Sequence, residues 1–582
     1  MKGVLKKTNQ ISKKVIVAID FGTSGTSYSY AFTDCKEDIL TPEEIKKPTE
    51  IILDSQKKYI AFGNGCRKFL SSENSLKQKY YHFSDIKMKL YKNEKKIASN
   101  NDNTLIDLEL VISQVLKAVK KEALEVICSK RNNIQESDVE WKVTVPAIWR
   151  EKSKEIMINA SKSCGIFNEY KDDKSLFLAL EPEAAAFDYI IEKSSDKNAV
   201  KLGSNYIICD IGGGTIDIST HTRKKDDING QIYIEELYPP SGGNNGANYI
   251  NKIFMEKVLK EIFGQNAINE LLKIIKNNSL NYDEIGYDDF MNLLDQIEEF
   301  KIEIDMNSNN NSKRINCCIF ENFVNDDISN LITKFNNNCP EKWKIKKYTG
   351  FKIFFPYQIM IDLTREIIVD NVVNYLFEII DHVKNINSII YTGTVSKNNF
   401  IISMIKNQLP SSINHYIATH PALAVARGAV MFGMNPLLIR SRIARFNIGI
   451  EINEIWNELK HGKRKDLKYR CKIENCEKCK NIFSPIISKN KKIIAGEWVK
   501  KYFSIICSKC FITFLKTDYD NVIFTDDEFK KCVKFGETEF DVGEQFDKND
   551  KDLIVELKLG GTFIDARMKY KEVEKSIPLY FK

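Results

Sequence analysis

Cys209-Asp210-Ile211-Gly212-Gly213-Gly214-Thr215-Ile216-Asp217, preceded by the apolar run Tyr206-Ile207-Ile208, is the stretch on which the reading of this chain turns. Three successive glycines after a buried strand cost backbone entropy and imply close approach of something to the main chain. A strand that ends in Asp and turns through Gly and Thr presents a carboxylate beside free backbone N–H groups, which suits a phosphate with a bound magnesium ion. Near the start, Ala18-Ile19-Asp20-Phe21-Gly22-Thr23-Ser24-Gly25-Thr26 repeats the design behind its own apolar run. Two such turns could grip one nucleotide from opposite sides.

At 582 residues the chain exceeds what one core usually supports, so two or more domains are expected. Its 86 basic and 79 acidic side chains leave a net charge of only +7, and the basic residues are scattered, which does not indicate a nucleic-acid surface. No stretch approaches the roughly 18 consecutive apolar residues of a membrane span. The run Val15 to Ile19 is cut by Asp20, so no secretory signal is expected either. Fourteen cysteines without regular spacing suit reduced thiols in the cytosol.

Residues 1–14 read as a basic, disordered leader. From residue 15 to 435, strand-like runs such as Trp141 to Val145 and Ser388 to Tyr391 alternate with helical patterns such as Tyr357 to Lys384, predicting an α/β domain with buried sheets. Asn-rich stretches near Asn100, at Asn307 to Asn311 and at Asn336 to Asn338 read as surface loops. The texture changes near 436–444. From residue 445 to 582, short alternating runs such as Phe511 to Leu515 and Leu553 to Leu559 predict an antiparallel sheet or sandwich.

Three further segments matter. Leu180-Glu181-Pro182-Glu183-Ala184-Ala185-Ala186 reads as a helix start whose alanines allow close packing. Ile389-Ile390-Tyr391-Thr392-Gly393-Thr394 is a strand entering a small-residue turn, and Pro421 to Ala429 reads as an Ala-rich helix. Taken in this order, the five segments resemble the actin-like ATPase superfamily, and within it the seventy-kilodalton heat-shock chaperones. Asp20-Phe21-Gly22-Thr23 with Tyr28-Ser29-Tyr30, and Phe83 to Leu90, look most like the divergent heat shock protein 12 type. The resemblance implies a two-lobed ATPase domain followed by an all-β domain.

Carried over, the resemblance implies that Asp20 and Asp210 hold a magnesium ion largely through its waters, with Glu181 orienting that shell. Thr23, Ser24 and Thr215 would contact the phosphates of ATP or ADP, with Gly22, Gly212, Gly213 and Gly214 bringing the backbone close. Lys87 would position the attacking water. Gly393 and Thr394 would pack against adenosine, and Glu298 and Lys301 would face ribose and base. The chemistry implied is slow phosphoryl transfer to water, in which the protein positions groups and neutralises charge.

Three positions depart from the family pattern: Thr392 replaces a glycine, Ser396 stands near the usual arginine, and Asp305 stands where a serine is expected. The family's acidic, leucine-rich linker is replaced by Leu437-Leu438-Ile439-Arg440-Ser441-Arg442, with its charge reversed. Phe446 to Glu451, Phe535 to Phe540 and Leu553 to Asp565 resemble strands of the family's substrate-binding sandwich, and the chain ends at Lys582 without room for the helical lid. A polypeptide client or a dedicated partner would bind there, and a nucleotide-exchange factor is a further expected partner. Cys476-Glu477-Lys478-Cys479 and Cys507-Ser508-Lys509-Cys510 could together bind zinc, but the 27 residues between them exceed the roughly 15–20 of a zinc ribbon, so free thiols are preferred. His221, His382, His415 and His420 form no ligand spacing, and no P-loop or nucleophile elbow occurs. The expected function is an ATP-dependent chaperone-like protein or client sensor. The alternatives are a nucleotide-gated scaffold without useful turnover and a small-molecule kinase built on the same turns.

Overall fold

The structure is a computed structural model that describes residues 13–35, 38–44, 46–72, 75, 78–92, 94–149, 151–168, 177–192, 200–227, 230–276, 287–305, 311–435, 438–547, 552–559 and 564–579. It has the mixed α/β architecture that the alternating sequence predicts. Most of the expected leader, residues 1–12, lies outside the described residues. Lys14 is already part of the fold, its N–H donating to the Asp138 carbonyl at 2.9 Å.

In the first lobe, the strand Val15–Phe21 lies between Gly25–Phe32, antiparallel to it, and Val139–Val145, parallel to it. Leu178–Leu180 and Lys47–Pro48 complete this sheet at its two edges. Every residue of Val15–Phe21 is buried, as expected of a central strand covered on both faces. One face is covered by the helix Leu108–Lys130, which Asp107 caps by accepting from the N–H groups of Glu109 and Leu110. Val111, Val115, Val119 and Ala123 recur at helical spacing and face inward.

The second lobe is built on Asn205–Ile211, which pairs in parallel with Ile386–Thr392 and antiparallel with Ile216–Lys225. The expected long helix at Tyr357 to Lys384 is a helix Tyr357–Thr364, a π-helical turn Arg365–Val369 and a helix Asp370–His382 in direct succession. Asn336 to Asn338 were expected in a loop and instead end the helix Ile328–Asn338. Ile328, Ile332 and Phe335 anchor its buried face, while Asn336 hydrogen-bonds both the N–H and the carbonyl of Ile345. Burial of that face outweighs the weak helix propensity of asparagine. The segment Asn307 to Asn311 lies outside the described residues except for Asn311.

Two helices cross at the junction of the lobes. Glu181–Glu192 and Ala424–Met434 approach so closely that a Cβ at Gly428 would stand 1.6 Å from the Ala184 carbonyl oxygen. Ala184, Ala185, Ala186, Ala424 and Ala429 fill the rest of that seam. The alanine-rich wording of both segments is therefore a packing requirement.

Beyond the second lobe, one antiparallel sheet runs in the order Lys468–Cys471, Cys476–Ile487, Asn447–Ile455, Lys509–Thr517, Val533–Asp541. Another runs Trp498–Ser504, Asp552–Leu559, Ile564–Tyr570, Val573–Leu579. Ile450, Phe514 and Phe535 of the one share an apolar cluster with Val555, Leu557 and Met568 of the other. The two CxxC pairs are held in different surroundings. Cys479 is buried with Leu467, Ile482 and Phe524, whereas the Cys510 thiol contacts the Phe540 carbonyl. No cluster of three or more His, Cys, Asp or Glu side chains among the described residues could hold a metal ion. No helix among them is long and apolar enough to cross a membrane.

The segment read as a replaced linker is a strand. Ile439–Ile443 lies inside the sheet of the second lobe, parallel to Ile232–Gly243 on one side and antiparallel to Lys492–Ile494 on the other. Its alternation explains this, since Ile439 and Ser441 are buried and Arg440 is exposed. Arg442 forks onto the carboxylate of Glu183, with both N···O contacts at 2.8 Å and both side chains largely buried. Arg440 meets Asp226 at 2.9 Å from a half-exposed position. Removing one partner of a buried pair strands the other, so Arg442→Ala is expected to cost on the order of 3–5 kcal/mol. Arg440→Ala, at an exposed pair screened by water, is expected to cost far less. Urea denaturation of both variants checks the contrast, and equal losses would refute the role given to the Arg442 fork.

Candidate functional site

The two glycine turns face each other at the cleft between the lobes. Asp20 ends its strand buried, its carboxylate accepting from Thr144 Oγ1 at 3.1 Å and from Ser27 Oγ at 3.5 Å. The turn behind it is held by Thr49, whose hydroxyl donates to the Gly22 carbonyl at 2.7 Å and meets Thr26 Oγ1 at 2.9 Å. Thr23 and Ser24 project from this turn against the second one. A Cβ at Gly214 would fall 2.5 Å from Thr23 Cβ, and Ser24 Oγ lies 3.2 Å from Asn248 Oδ1. Glycine is required at 214 by this approach.

On the other side, Asp210 and Asp217 are direct cross-strand partners, so both carboxyls point to the same face of the hairpin. Gly212 N donates to the Thr215 carbonyl and closes the turn between them. Thr215 hydrogen-bonds the Asp217 carboxylate. Gly393, at φ +84°, lies directly beneath, where a Cβ would meet Asp210 Oδ1 and the Ile211 carbonyl oxygen at 2.4 Å. Thr394 begins the short turn that follows. Of the departures from the family pattern, Thr392 bonds the Pro421 carbonyl and Ser396 bonds that of Gly393, so both tie the turn to its surroundings. Glu298 and Lys301 form an ion pair at 2.6 Å, and Lys301 also donates to the Ala247 carbonyl at 3.3 Å. Ala247 N in turn bonds the Gly212 carbonyl, which fastens this pair to the back of the glycine turn.

Lys87 and Glu181 meet at 2.6 Å with both side chains buried, and the Trp149 ring lies 5.8 Å from the ammonium. Two tendencies conflict in this pair. Burial pushes the Glu181 carboxyl up, as do Asp217 and Asp20, while Lys87 pulls it down. Burial also works against a charge on Lys87, but Glu181, Asp20 and Asp217 carry it upward. The short contact surrounded by further carboxylates decides for a proton that stays on Lys87. Burial, with Asp217 and Asp20 adding to it, raises Asp210 to about 7, against the pull of Lys46 and Lys87.

The donor set fits a magnesium ion. Asp20 and Asp210 offer hard carboxylate oxygens from opposite lobes, in a site where buried acids outnumber buried bases. Since no three ligating side chains converge among the described residues, such an ion would retain much of its water shell.

The chain is 24% identical to human (Homo sapiens) heat shock 70 kDa protein 12A, over 90% of this chain and 85% of that protein. It is 23% identical to the mouse (Mus musculus) protein of that name, over 89% and 84%. Human heat shock 70 kDa protein 12B is 25% identical over 46% of this chain and 48% of its own. This similarity over most of the chain supports a heat shock protein 70-like protein of the 12 type. No family model matches it.

Three residues beside the acids, Asp217, Trp149 and Lys46, were not expected at the site from the sequence. Asp217 stands in the quoted glycine motif, and period-two alternation from Asp210 through the hairpin would have placed it on the same face. Trp149 and Lys46 carry no local signal. Lys46 Nζ lies 3.6 Å from Asp20 Oδ2, brought there by the strand Lys47–Pro48 at the sheet edge.

The raised Asp210 gives a signed expectation. Its folded value lies above the ordinary 3.8, so the metal-free native state takes up the proton first. Its contribution to stability is present below about pH 4 and is lost as pH rises through about 7. Asp210→Asn removes the buried charge and is expected to raise the unfolding temperature of metal-free protein at pH 8, with a gain capped at about 4 kcal/mol. The variant and parent are expected to converge below about pH 4. A variant no more stable than the parent at pH 8 contradicts this account of the acid cluster.

Proposed function

We propose that this chain binds ATP or ADP with magnesium between its lobes and hydrolyses ATP slowly, as a cytosolic chaperone-like protein or client sensor. The observation that carries the reading is the convergence of Asp20, Asp210, Asp217 and the Lys87–Glu181 pair where two glycine turns from opposite lobes meet. Similarity to the 12-type heat shock proteins over most of the chain supports it.

A bound magnesium ion would neutralise phosphate charge and withdraw electron density from the bond being broken. The chain's residues do the rest. Asp20 and Asp210 would hold the hydrated ion, with Glu181 helping to orient its waters while it holds Lys87 in place. Lys87, pinned between Glu181 and Trp149, presents its ammonium to the attacking water and the terminal phosphate. Thr23, Ser24 and Thr215 donate hydroxyls to the phosphates, and Gly213 and Gly214 let backbone approach them. Gly393 and Thr394 face adenosine, with Glu298 and Lys301 on the ribose side. The two sheets after residue 445 act as a β-sandwich for a polypeptide client or dedicated partner, and an exchange factor acts on the lobes.

Nucleotide binding is tested by thermal unfolding. ATP or ADP with magnesium at about 100 times its dissociation constant is expected to add roughly 2.7 kcal/mol. No shift with either nucleotide would falsify the cleft assignment. In single-turnover hydrolysis, Lys87→Ala and Asp210→Asn are each expected to lower the rate about a hundredfold while sparing ATP binding more than turnover. Rates within about threefold of the parent would remove these residues from the mechanism. A parent that binds ATP and never turns it over is a nucleotide-gated scaffold, and ADP formation only in the presence of a sugar or small acid marks a kinase.

A further inference from the structure

Two lysines reach the acids of the cleft, and they are held in different ways. Lys87 is buried, its ammonium fixed by a 2.6 Å contact with Glu181. Lys46 is a quarter exposed, and its contact with Asp20 is loose at 3.6 Å. Its stem lies across the first glycine turn, where a Cβ at Gly25 would come within 2.8 Å of Lys46 Cγ. Its ammonium stands over the same turn, 3.4 Å from where a Cβ on Gly22 would be. The charge is felt across the cleft as well, since Lys46 draws down the carboxyl of Asp210 in the opposite lobe.

We propose that Lys46 is a second phosphate-binding cation, which turns from Asp20 to the β- or γ-phosphate of a nucleoside di- or triphosphate when the metal ion engages Asp20. The inference rests on the nucleotide reading above. An ammonium held over the turn whose hydroxyls and N–H groups face a phosphate is in reach of that phosphate by rotation of its own flexible stem. A charge-assisted contact to phosphate is stronger than a loose contact to a carboxylate that a divalent ion has neutralised. Both Gly22 and Gly25 keep the corridor for that stem open, because a side chain at either would collide with it or with the turn itself.

The neighbouring Lys47 provides the control. It carries the same charge one residue away but is bound to Glu122 at 2.7 Å and Glu44 at 3.2 Å, away from the acids. Calorimetric titration of purified full-length parent, Lys46→Met, Lys46→Arg and Lys47→Met with ADP, ATP and adenosine, in magnesium, separates the readings. Lys46→Met is expected to weaken ADP and ATP by at least about tenfold, to leave adenosine unchanged, and to be partly rescued in Lys46→Arg. Lys47→Met is expected to stay within about threefold of the parent for all ligands. Equal ADP affinity in parent and Lys46→Met overturns the assignment of Lys46 and leaves the nucleotide site standing. Equal losses in Lys46→Met and Lys47→Met, or a matching loss for adenosine, overturn it too, because the effect is then one of overall charge or of folding. A parent that binds none of the three ligands overturns this assignment together with the nucleotide reading.

Discussion

One helix start carries two buried ion pairs that point in opposite directions. Glu181 and Glu183 are two residues apart on the helix Glu181–Glu192, which sets their side chains about 200° apart around its axis. Glu181 reaches Lys87 of the first lobe, and Glu183 reaches Arg442 of the strand Ile439–Ile443 in the second lobe's sheet. Neither carboxylate can lose its partner without leaving a charge stranded away from water. The helix is therefore fixed in rotation as well as in position. Gly428 fixes its depth, since the crossing helix touches it with backbone alone. The geometry of the acids at the cleft and the path of the chain leaving the second lobe are consequences of one constraint.

The face of the strand Ile216–Lys225 that carries Asp217 continues this polar seam. Ser219 and His221 follow at period-two spacing, with Tyr206 and Glu236 as their cross-strand neighbours at His221. His221 is buried, and burial reinforced by Arg442 pulls its imidazole down to about 3, so it is neutral at physiological pH. Glu236 is raised to about 7 by burial and by Glu183, and it accepts the Ile443 N–H at 2.6 Å. A row of polar side chains thus runs inside the protein from the acids of the cleft toward the Arg442 strand.

What was legible in the sequence was what is local. Asp20 and Asp210 each end an apolar strand and enter a glycine turn, and a strand, an acid and a turn can be read from nine residues. The alanines after Glu181 announced close packing for the same reason. The partners of these groups were not legible, because they are brought together by the sheets. Arg442 is 259 positions from Glu183, and Lys46 reaches Asp20 only through the edge strand of the first sheet. The linker segment was readable in part. Ile439, Ser441 and Ile443 alternate with Arg440 and Arg442, a strand pattern that its charge reversal obscured. Asn336 to Asn338 misled for the converse reason, since composition spoke for a loop where the buried face of Ile328, Ile332 and Phe335 prevailed.

The strand Ile439–Ile443 also fixes how the second lobe meets the chain that follows it. It is paired on both sides, and its second partner, Lys492–Ile494, comes from the region of the two C-terminal sheets. Lys492 reinforces the seam by meeting Glu235 of the second lobe at 2.9 Å. A segment at a sheet edge can detach at the cost of a few hydrogen bonds, whereas an interior strand can leave only if the sheet on its far side leaves with it. Lys492–Ile494 is the edge strand of the second lobe's sheet and lies in the chain between Cys476–Ile487 and Trp498–Ser504 of the two C-terminal sheets, so the chain itself ties those sheets to the second lobe. Arg445 bonds the Ala147 carbonyl of the first lobe, two residues before Trp149 and its contact with Lys87. Arg442 and Arg445, three residues apart, thus tie one short segment to Glu183 and to the Ala147 carbonyl, so motion of one lobe against the other would strain that segment directly.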